Sequence, residues 1–466
     1  MIQIDVLPDE VLLGIFDYYE DTVDPPYKRK TKIEAWQTLV HVSRRWRNLV
    51  FQSPCRLNLR LYCTPQTPTR DRLDIWPALP LVVSGKISRD LTDNAIAALG
   101  QSNRVCQVRL SGLRLDKVLA AMQVPFPELT ELKLSSFDGN KTAIPDTFLG
   151  GCAPRLRIFA LDSIPFRGLP KLLLSATHLV ELYLRRMSHS SEISPEAIVP
   201  ILSMLSSLES FTLEFELLWV YPDRESPSLP PLKRSILPAL AEFHFKGFIE
   251  YLDQLVTRID TPQLDKMCIK FFRPTEFRFG CPRLVQFINR TLTSRVLDEA
   301  HVEFHDSAAC LGLRYQTSKS SLDDLLINIS SCGDPQLSFI KQVCDPSLHL
   351  LSTVEDLYIE HRYWELDWED GDIGNGQWLE LLLPFIAVKN LYLSKEFAPG
   401  IAAALQELVQ VADRIIEVLP NLQNIFVEEL EPSGPFQENV EQFVAARQLS
   451  NHSIAISVKI WHETPT

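Results

Sequence analysis

Glycine is scarce in this chain: 17 of 466 residues, about 4% against a usual ~7%. The shortage argues against functions built on glycine-rich phosphate loops. No G-x-x-x-x-G-K-[ST] loop and no G-x-S-x-G elbow occurs. Cysteine is sparse too: nine residues, an odd number, with no C-x-x-C pair. Neither a disulfide framework nor a RING-type zinc array is encoded, and the thiols are expected reduced, in the cytoplasm or nucleus. Basic charge is in deficit, with 46 Lys and Arg against 59 Asp and Glu and a net charge of −13. Nucleic acid is therefore not the expected partner. No apolar run approaches the ~18–20 residues of a membrane span, so no membrane partner is expected. The opening MIQIDVLPDEV is acidic and interrupted by proline, unlike a secretory signal.

Proline, by contrast, is in excess: 32 residues, about 7% against a usual ~5%. Apolar residues are 45% and charged residues 23%, ordinary for a folded chain with a large core. Leu7-Pro8-Asp9-Glu10 reads as a helix start. Proline is pre-organised for the first turn, and the two acids complement the positive end of the helix dipole. Apolar residues then fall on one face at Val11, Leu12, Ile15, Phe16 and Tyr19. A polar stretch with Pro25-Pro26 and Lys28-Arg29-Lys30 intervenes, and the Lys28–Lys32 cluster reads as a solvated loop. The helical pattern resumes at Ile33, Trp36, Leu39 and Val40, and again at Val42, Trp46, Leu49 and Val50. Three short helices fit, closed by Pro54. They are too few to hold much core of their own, so their apolar faces should pack on something else.

The run Leu-Pro-Asp-Glu-Val-Leu-Leu-Gly-Ile-Phe from Leu7, with Val42-Ser43-Arg44-Arg45-Trp46-Arg47, resembles an F-box. The resemblance covers about residues 4–51. It departs from the family at Ser43, where Cys is frequent, and in a long Glu20–Lys32 segment. It implies docking onto a Skp-type adaptor, and through it onto a cullin–RING ubiquitin ligase. Position by position, it implies adaptor-binding roles for Leu7, Pro8, Leu12, Ile15 and Phe16, with Val42 and Trp46 supporting.

Beyond Pro54 an L-x-x-L-x-L pattern, with other apolar residues allowed, recurs from Val105 and Leu129 to Val388 and Leu422. Its leading residues stand about 29 apart on average, at the long end of the ~20–29 of leucine-rich repeats. Helical patterns lie between, as at Pro195–Leu205, Trp378–Ile386 and Ile401–Leu419. Ile454, Ile456, Val458 and Ile460 alternate in a closing strand. A unit of one helix and one strand cannot bury its own apolar face, so neighbours must stack. Proline precedes the leading residue by two at Pro127, Pro154, Pro238, Pro262 and Pro420. Proline ends a helix and pushes its predecessor into extended geometry, so these residues read as helix-to-strand punctuation. The fold expected is α/β: an all-α N-terminal F-box followed by an irregular leucine-rich-repeat solenoid with parallel strands on its concave face. Residues 1–54 form the adaptor-binding part, 55–104 a connecting segment with the first strands, and 105–466 the repeats and closing strand. An F-box followed by leucine-rich repeats is a common family arrangement, and the chain resembles it, particularly the large fungal sets.

Alternate strand positions face the concave side. They nominate Tyr183, Arg185, His244, Lys246, Lys266 and Lys270 in the middle repeats. Further on they nominate His301, Glu303, Tyr358, Glu360, Tyr392 and Phe426. A face mixing aromatic rings with charges suits recognition of a target protein. The acidic Glu360–Asp372 loop, with Trp364 and Trp368, and the Leu217–Leu232 insertion are further candidate contacts. His301-Val-Glu303-Phe-His305 is not the H-E-x-x-H metalloprotease motif. On a strand its three polar residues share a face that could in principle hold zinc, but an exposed strand face is the expectation, with no metal and no cofactor.

The sequence thus points to a non-catalytic substrate-recognition subunit of a Skp–cullin–F-box ubiquitin ligase. The alternative is an interaction scaffold with a degenerate F-box outside the ubiquitin system. A metal-binding enzyme using His301, Glu303 and His305 is the remote third reading.

Overall fold

The structure is a computed structural model. It describes residues 7–22, 35–53, 57, 59–69, 73, 78–88, 92–113, 115–137, 143–145, 147–165, 171–187, 193–216, 233–272, 282–292, 296–305, 308–314, 325–330, 336–344, 347–361, 375–410, 417–428, 435–449 and 457–460. The Lys28–Lys32 cluster, the Leu217–Leu232 insertion and the acidic loop beyond His361 lie outside the described residues. The chain divides into two compact units, 1–176 and 177–466. Among the described residues no helix is long and apolar enough to cross a membrane.

The first unit opens with three helices, Asp9–Thr22, Ala35–Leu39 and Arg44–Gln52. Their start signals work as the sequence implies. The Pro8 carbonyl accepts the Val11 and Leu12 N–H groups at 3.1 and 3.0 Å. The Ser43 hydroxyl caps the third helix by accepting the Trp46 N–H at 3.2 Å. Ser43 therefore has a local task that a thiol performs poorly. Arg45 clamps the first turn, donating to the Leu7 carbonyl at 2.7 Å and to Asp9 Oδ1 at 2.6 Å. Trp36 Nε1 donates to the Arg60 carbonyl at 3.1 Å, tying the helices to the chain that leads into the first strand.

Five strands follow in this unit: β1 (Leu61–Cys63), β2 (Leu81–Ile87), β3 (Val105–Gly112), β4 (Glu131–Ser136) and β5 (Ile158–Asp162). Each pairs in parallel with the next. Gly112 pairs with Ile87, and a Cβ there would lie 2.6 Å from the Ile87 carbonyl oxygen. Backbone cannot yield as a side-chain tip can. Gly112→Ala is therefore expected to cost about 1–3 kcal/mol, read as a lower urea-denaturation midpoint.

The second unit holds β6 (Glu181–Met187), β7 (Ser210–Phe215), β8 (Ser235–Ile236), β9 (Glu242–Gly247), β10 (Ile259–Asp260), β11 (Lys266–Phe271), β12 (Glu299–His305), β13 (Ala308–Arg314), β14 (Leu325–Ser330), β15 (Asp356–His361), β16 (Asn390–Leu393), β17 (Asn424–Val427) and β18 (Ser457–Ile460). β8 and β10 form a small pair apart. The others run β6-β7-β9-β11-β14-β13-β12-β15-β16-β17-β18 across one sheet. An all-parallel array was expected, and here the structure differs. β13 is antiparallel to both β12 and β14, while β14 pairs in parallel with β11 and β12 with β15. A strand returning straight after His305, with two residues between, can pair only antiparallel.

Elsewhere a strand, a connection usually carrying a helix, and a parallel strand repeat. The helices Pro195–Met204, Ile249–Val256, Pro282–Thr291, Asn375–Leu382 and Ala398–Glu407 supply the outer layer. Proline sits at the joints, although not as a helix stop. Pro127, Pro154, Pro262 and Pro420 each occupy the second position of a β-turn. In these turns the carbonyl before proline accepts the N–H of Leu129, Leu156, Leu264 and Leu422 at 3.1–3.2 Å. Proline's fixed φ suits that position, and the turn drops its leucine into the core. The next residue then bonds back to the preceding repeat, as Asp265 N–H does to the Ala241 carbonyl at 2.7 Å.

Asp253 accepts the Leu284 N–H at 3.2 Å, near the start of the Pro282–Thr291 helix. Burial raises its carboxyl to about 6, more than that bond and Arg283 lower it. A folded-state pKa above the unfolded value stabilises at low pH, and that contribution is lost as pH rises through the folded value. Asp253→Asn keeps the acceptor and removes the charge. Allowing for partial solvent screening, it is expected to add about 1 kcal/mol near neutral pH and little near pH 4. Thermal melts of variant and parent at the two pH values check this.

Candidate functional site

Two surfaces, one in each unit, carry the residues nominated from the sequence. In the first unit the Asp9–Thr22 helix has two apolar faces. Leu12 and Phe16 point inward and are fully buried, Phe16 packing on Trp46 with ring centroids 4.7 Å apart. Val11, Ile15 and Tyr18 lie on the other face, 46%, 44% and 73% exposed, and Val42 is 58% exposed. Pro8 is exposed and Leu7 half-buried. The F-box resemblance implied one adaptor-binding role for all seven candidates. The structure divides them. Leu12, Phe16 and Trp46 hold the helices to one another, and Pro8, Ile15 and Val42 face outward with Val11 and Tyr18.

In the second unit the helix-free face of the sheet presents rows of side chains across the strands. Around β6, β7, β9 and β11 the rows mix signs. Arg185 Nε lies 3.6 Å from Glu214 and stacks over the Tyr183 ring, while Lys266 Nζ lies 3.8 Å from Glu242. Lys246 and Lys270 are exposed, Lys246 above the Phe272 ring. His244 is half-buried, and burial lowers its pKa. The middle of this face therefore mixes charges of both signs, several of them paired.

The later strands build something more ordered. His301, Tyr358, Tyr392 and Phe426 are register partners across β12, β15, β16 and β17. Their rings stack at centroid distances of 4.5, 4.1 and 4.5 Å, within 4°, 8° and 7° of parallel. Lys459 on β18 closes the stack 5.3 Å above Phe426. A polar row runs alongside. Asn390 donates to Asp356 at 2.6 Å, Asn424 to Asn390 at 2.7 Å, and Ser457 to Asn424 at 2.6 Å. Burial raises the Asp356 pKa, with the Glu299 and Glu355 carboxylates adding to it. Burial likewise pushes the Tyr358 hydroxyl well up, helped by Tyr392 and Glu299.

At its β12 end the ladder meets carboxylates. His301 Nε2 lies 2.6 Å from Glu299 Oε1, and that hydrogen bond lowers the Glu299 pKa. Burial opposes charge on His301, but Glu299 and Glu360 outweigh it, so the His301 pKa is raised. His301 and Glu360 were expected on an exposed strand face. Both are buried, at 7% and 5% exposure, with His301 stacked on the Tyr358 ring. Glu303 is half-buried and lies opposite Glu360 in the β12–β15 register. His305 lies 3.4 Å from Glu303.

Asn390, Asn424 and Lys459 were not among the nominated residues. A signal for the first two exists in the sequence: Asp356-Leu-Tyr-Ile, Asn390-Leu-Tyr-Leu and Asn424-Ile-Phe-Val recur at an interval of 34 residues.

No protein-family model matches the chain, and no curated protein matches it. Among solved structures, the leucine-rich repeat-containing protein LegL7 from Legionella pneumophila is similar at 14% identity. The match covers 84% of this chain and 98% of that one, with a TM-score of 0.25.

Proposed function

We propose that this chain is the target-binding subunit of a Skp–cullin–F-box ubiquitin ligase, working in the cytoplasm or nucleus. The observation that carries the reading is the second apolar face of the first helix. Leu12 and Phe16 fill the inward side of the helix, while Val11, Ile15 and Tyr18 stay 46%, 44% and 73% exposed on the other side. Exposed apolar stripes of this kind mark partner surfaces. A Skp-type adaptor is the partner that the Leu7–Phe16 and Val42–Arg47 sequences call for.

In this reading the strand face of the second unit holds the target. Aromatic rings with flanking charged groups provide rigid, amphipathic contact at low entropic cost. The chain contributes no bond-making chemistry. It holds a target lysine near a ubiquitin-charged enzyme and so raises its effective concentration. Co-expression of the full chain with a Skp-type adaptor and a cullin tests this. A stoichiometric three-component complex is expected. Absence of adaptor binding overturns the reading, and adaptor binding without cullin recruitment makes the chain a scaffold instead.

A further inference from the structure

We propose that His301, Glu303 and Glu360 form a binding site for a divalent transition-metal ion of the zinc class. One nitrogen and two oxygen donors, all lying within 4.8 Å of one another, suit such an ion. Small side-chain rotations would close them onto it.

Three observations converge. The first is the state of His301. It is more than nine-tenths buried, and its Nδ1 has no hydrogen-bond partner. Glu360 Oε2, at 4.0 Å, is the carboxylate facing that nitrogen, too far for a direct hydrogen bond and close enough to favour a positive charge between them, proton or metal ion. An unpartnered buried ring nitrogen is costly unless something occupies its lone pair.

The second is the other ring nitrogen. Nε2 is held at 2.6 Å by Glu299. If Nε2 carries the proton, Nδ1 is left bare and directed toward Glu360. A carboxylate behind a ligating histidine is the usual outer support of a metal site, fixing the tautomer and raising ligand basicity.

The third is the placement of like charges. Glu303 and Glu360 are direct register partners on adjacent strands. Two carboxylates directly opposite each other destabilise a sheet. His305 at 3.4 Å serves Glu303 from one side, and Arg314 Nε at 3.9 Å serves Glu299. A dication would neutralise two carboxylates that the register sets side by side. The Tyr358 ring, stacked on His301 at 4.5 Å, holds the imidazole plane in place. Three protein ligands leave a position for water or for a side chain of a bound partner.

The test uses the full chain stripped with chelator and titrated with zinc chloride in a calorimeter near neutral pH. Cobalt(II) absorption serves as an independent readout. One equivalent is expected to bind, with a rise in melting temperature and a cobalt spectrum free of thiolate charge transfer. His301→Phe keeps a ring on Tyr358 and removes the ligand, so it is expected to abolish that equivalent. Glu303→Gln with Glu360→Gln preserves side-chain volume and is expected to do the same. Glu299→Gln is expected to weaken binding about 10- to 100-fold. The proposal is overturned if zinc gives no saturable equivalent, if the folded variants bind like the parent, or if cobalt reports thiolate ligands.

Discussion

Replacing Ile15 and Val42 together with aspartate is expected to leave the chain folded and to remove a Skp-type adaptor from the purified complex. Both side chains are exposed, so the exchange costs the fold within about 0.5 kcal/mol each. In a docked complex the same two positions are desolvated, and a buried unpaired carboxylate there costs several kcal/mol. An affinity loss above 100-fold follows, enough to clear the adaptor from a pull-down at micromolar concentration. Phe16→Asp is the control with the opposite logic. Phe16 is fully buried against Trp46, so its replacement is expected to unfold the three helices and lose the adaptor indirectly. Circular dichroism with the pull-down separates the two cases. If the Ile15 and Val42 double variant still binds the adaptor at parental affinity, the stripe is not the docking surface.

Ile15 and Phe16 also show how far the sequence could be read. Both are apolar and adjacent, and helical periodicity places both near one face. Which of them points inward is decided by Trp46, thirty residues away on another helix. That information is tertiary. Several parallel strands were legible because they alternate, as β5, β16 and β17 do. β4, β15, β16 and β17 each begin two residues after a leading apolar residue of the repeat. β13 was missed for a related reason. Ala308-Ala-Cys-Leu-Gly-Leu is buried at five consecutive positions and has no alternation to reveal it. The ring ladder was half visible. His301, Tyr358, Tyr392 and Phe426 were each nominated, but stacking requires equal register across connections of different length. The connection from β12 to β15 contains two more strands, and no spacing rule predicts that.

Phe304→Ala is expected to cost the second unit about 3–5 kcal/mol, measured as the urea-denaturation midpoint. Phe304 alternates with His301 and Glu303 on β12 and faces the helices. Its ring is 4.9 Å from Phe397 and 6.2 Å from Trp378, and it is fully buried. Truncation opens a cavity that two large aromatic neighbours, Phe397 and Trp378, cannot collapse to fill. In a stacked array each repeat leans on the next, so the loss should lower the melting of the whole unit in one transition. Tyr392→Ala is the contrast. It removes two stacks, with Tyr358 at 4.1 Å and Phe426 at 4.5 Å, but from a half-exposed ring. About 1–3 kcal/mol is expected, of which about 0.5–1.5 kcal/mol should appear as coupling in a Tyr358/Tyr392 double-mutant cycle. The asymmetry matters for function. The helix side of β12 and β15 carries the stability, so the ring side is free to present a surface. If Tyr392→Ala proved as costly as Phe304→Ala, the ladder would be a second core, and its rings would have no freedom to serve a target.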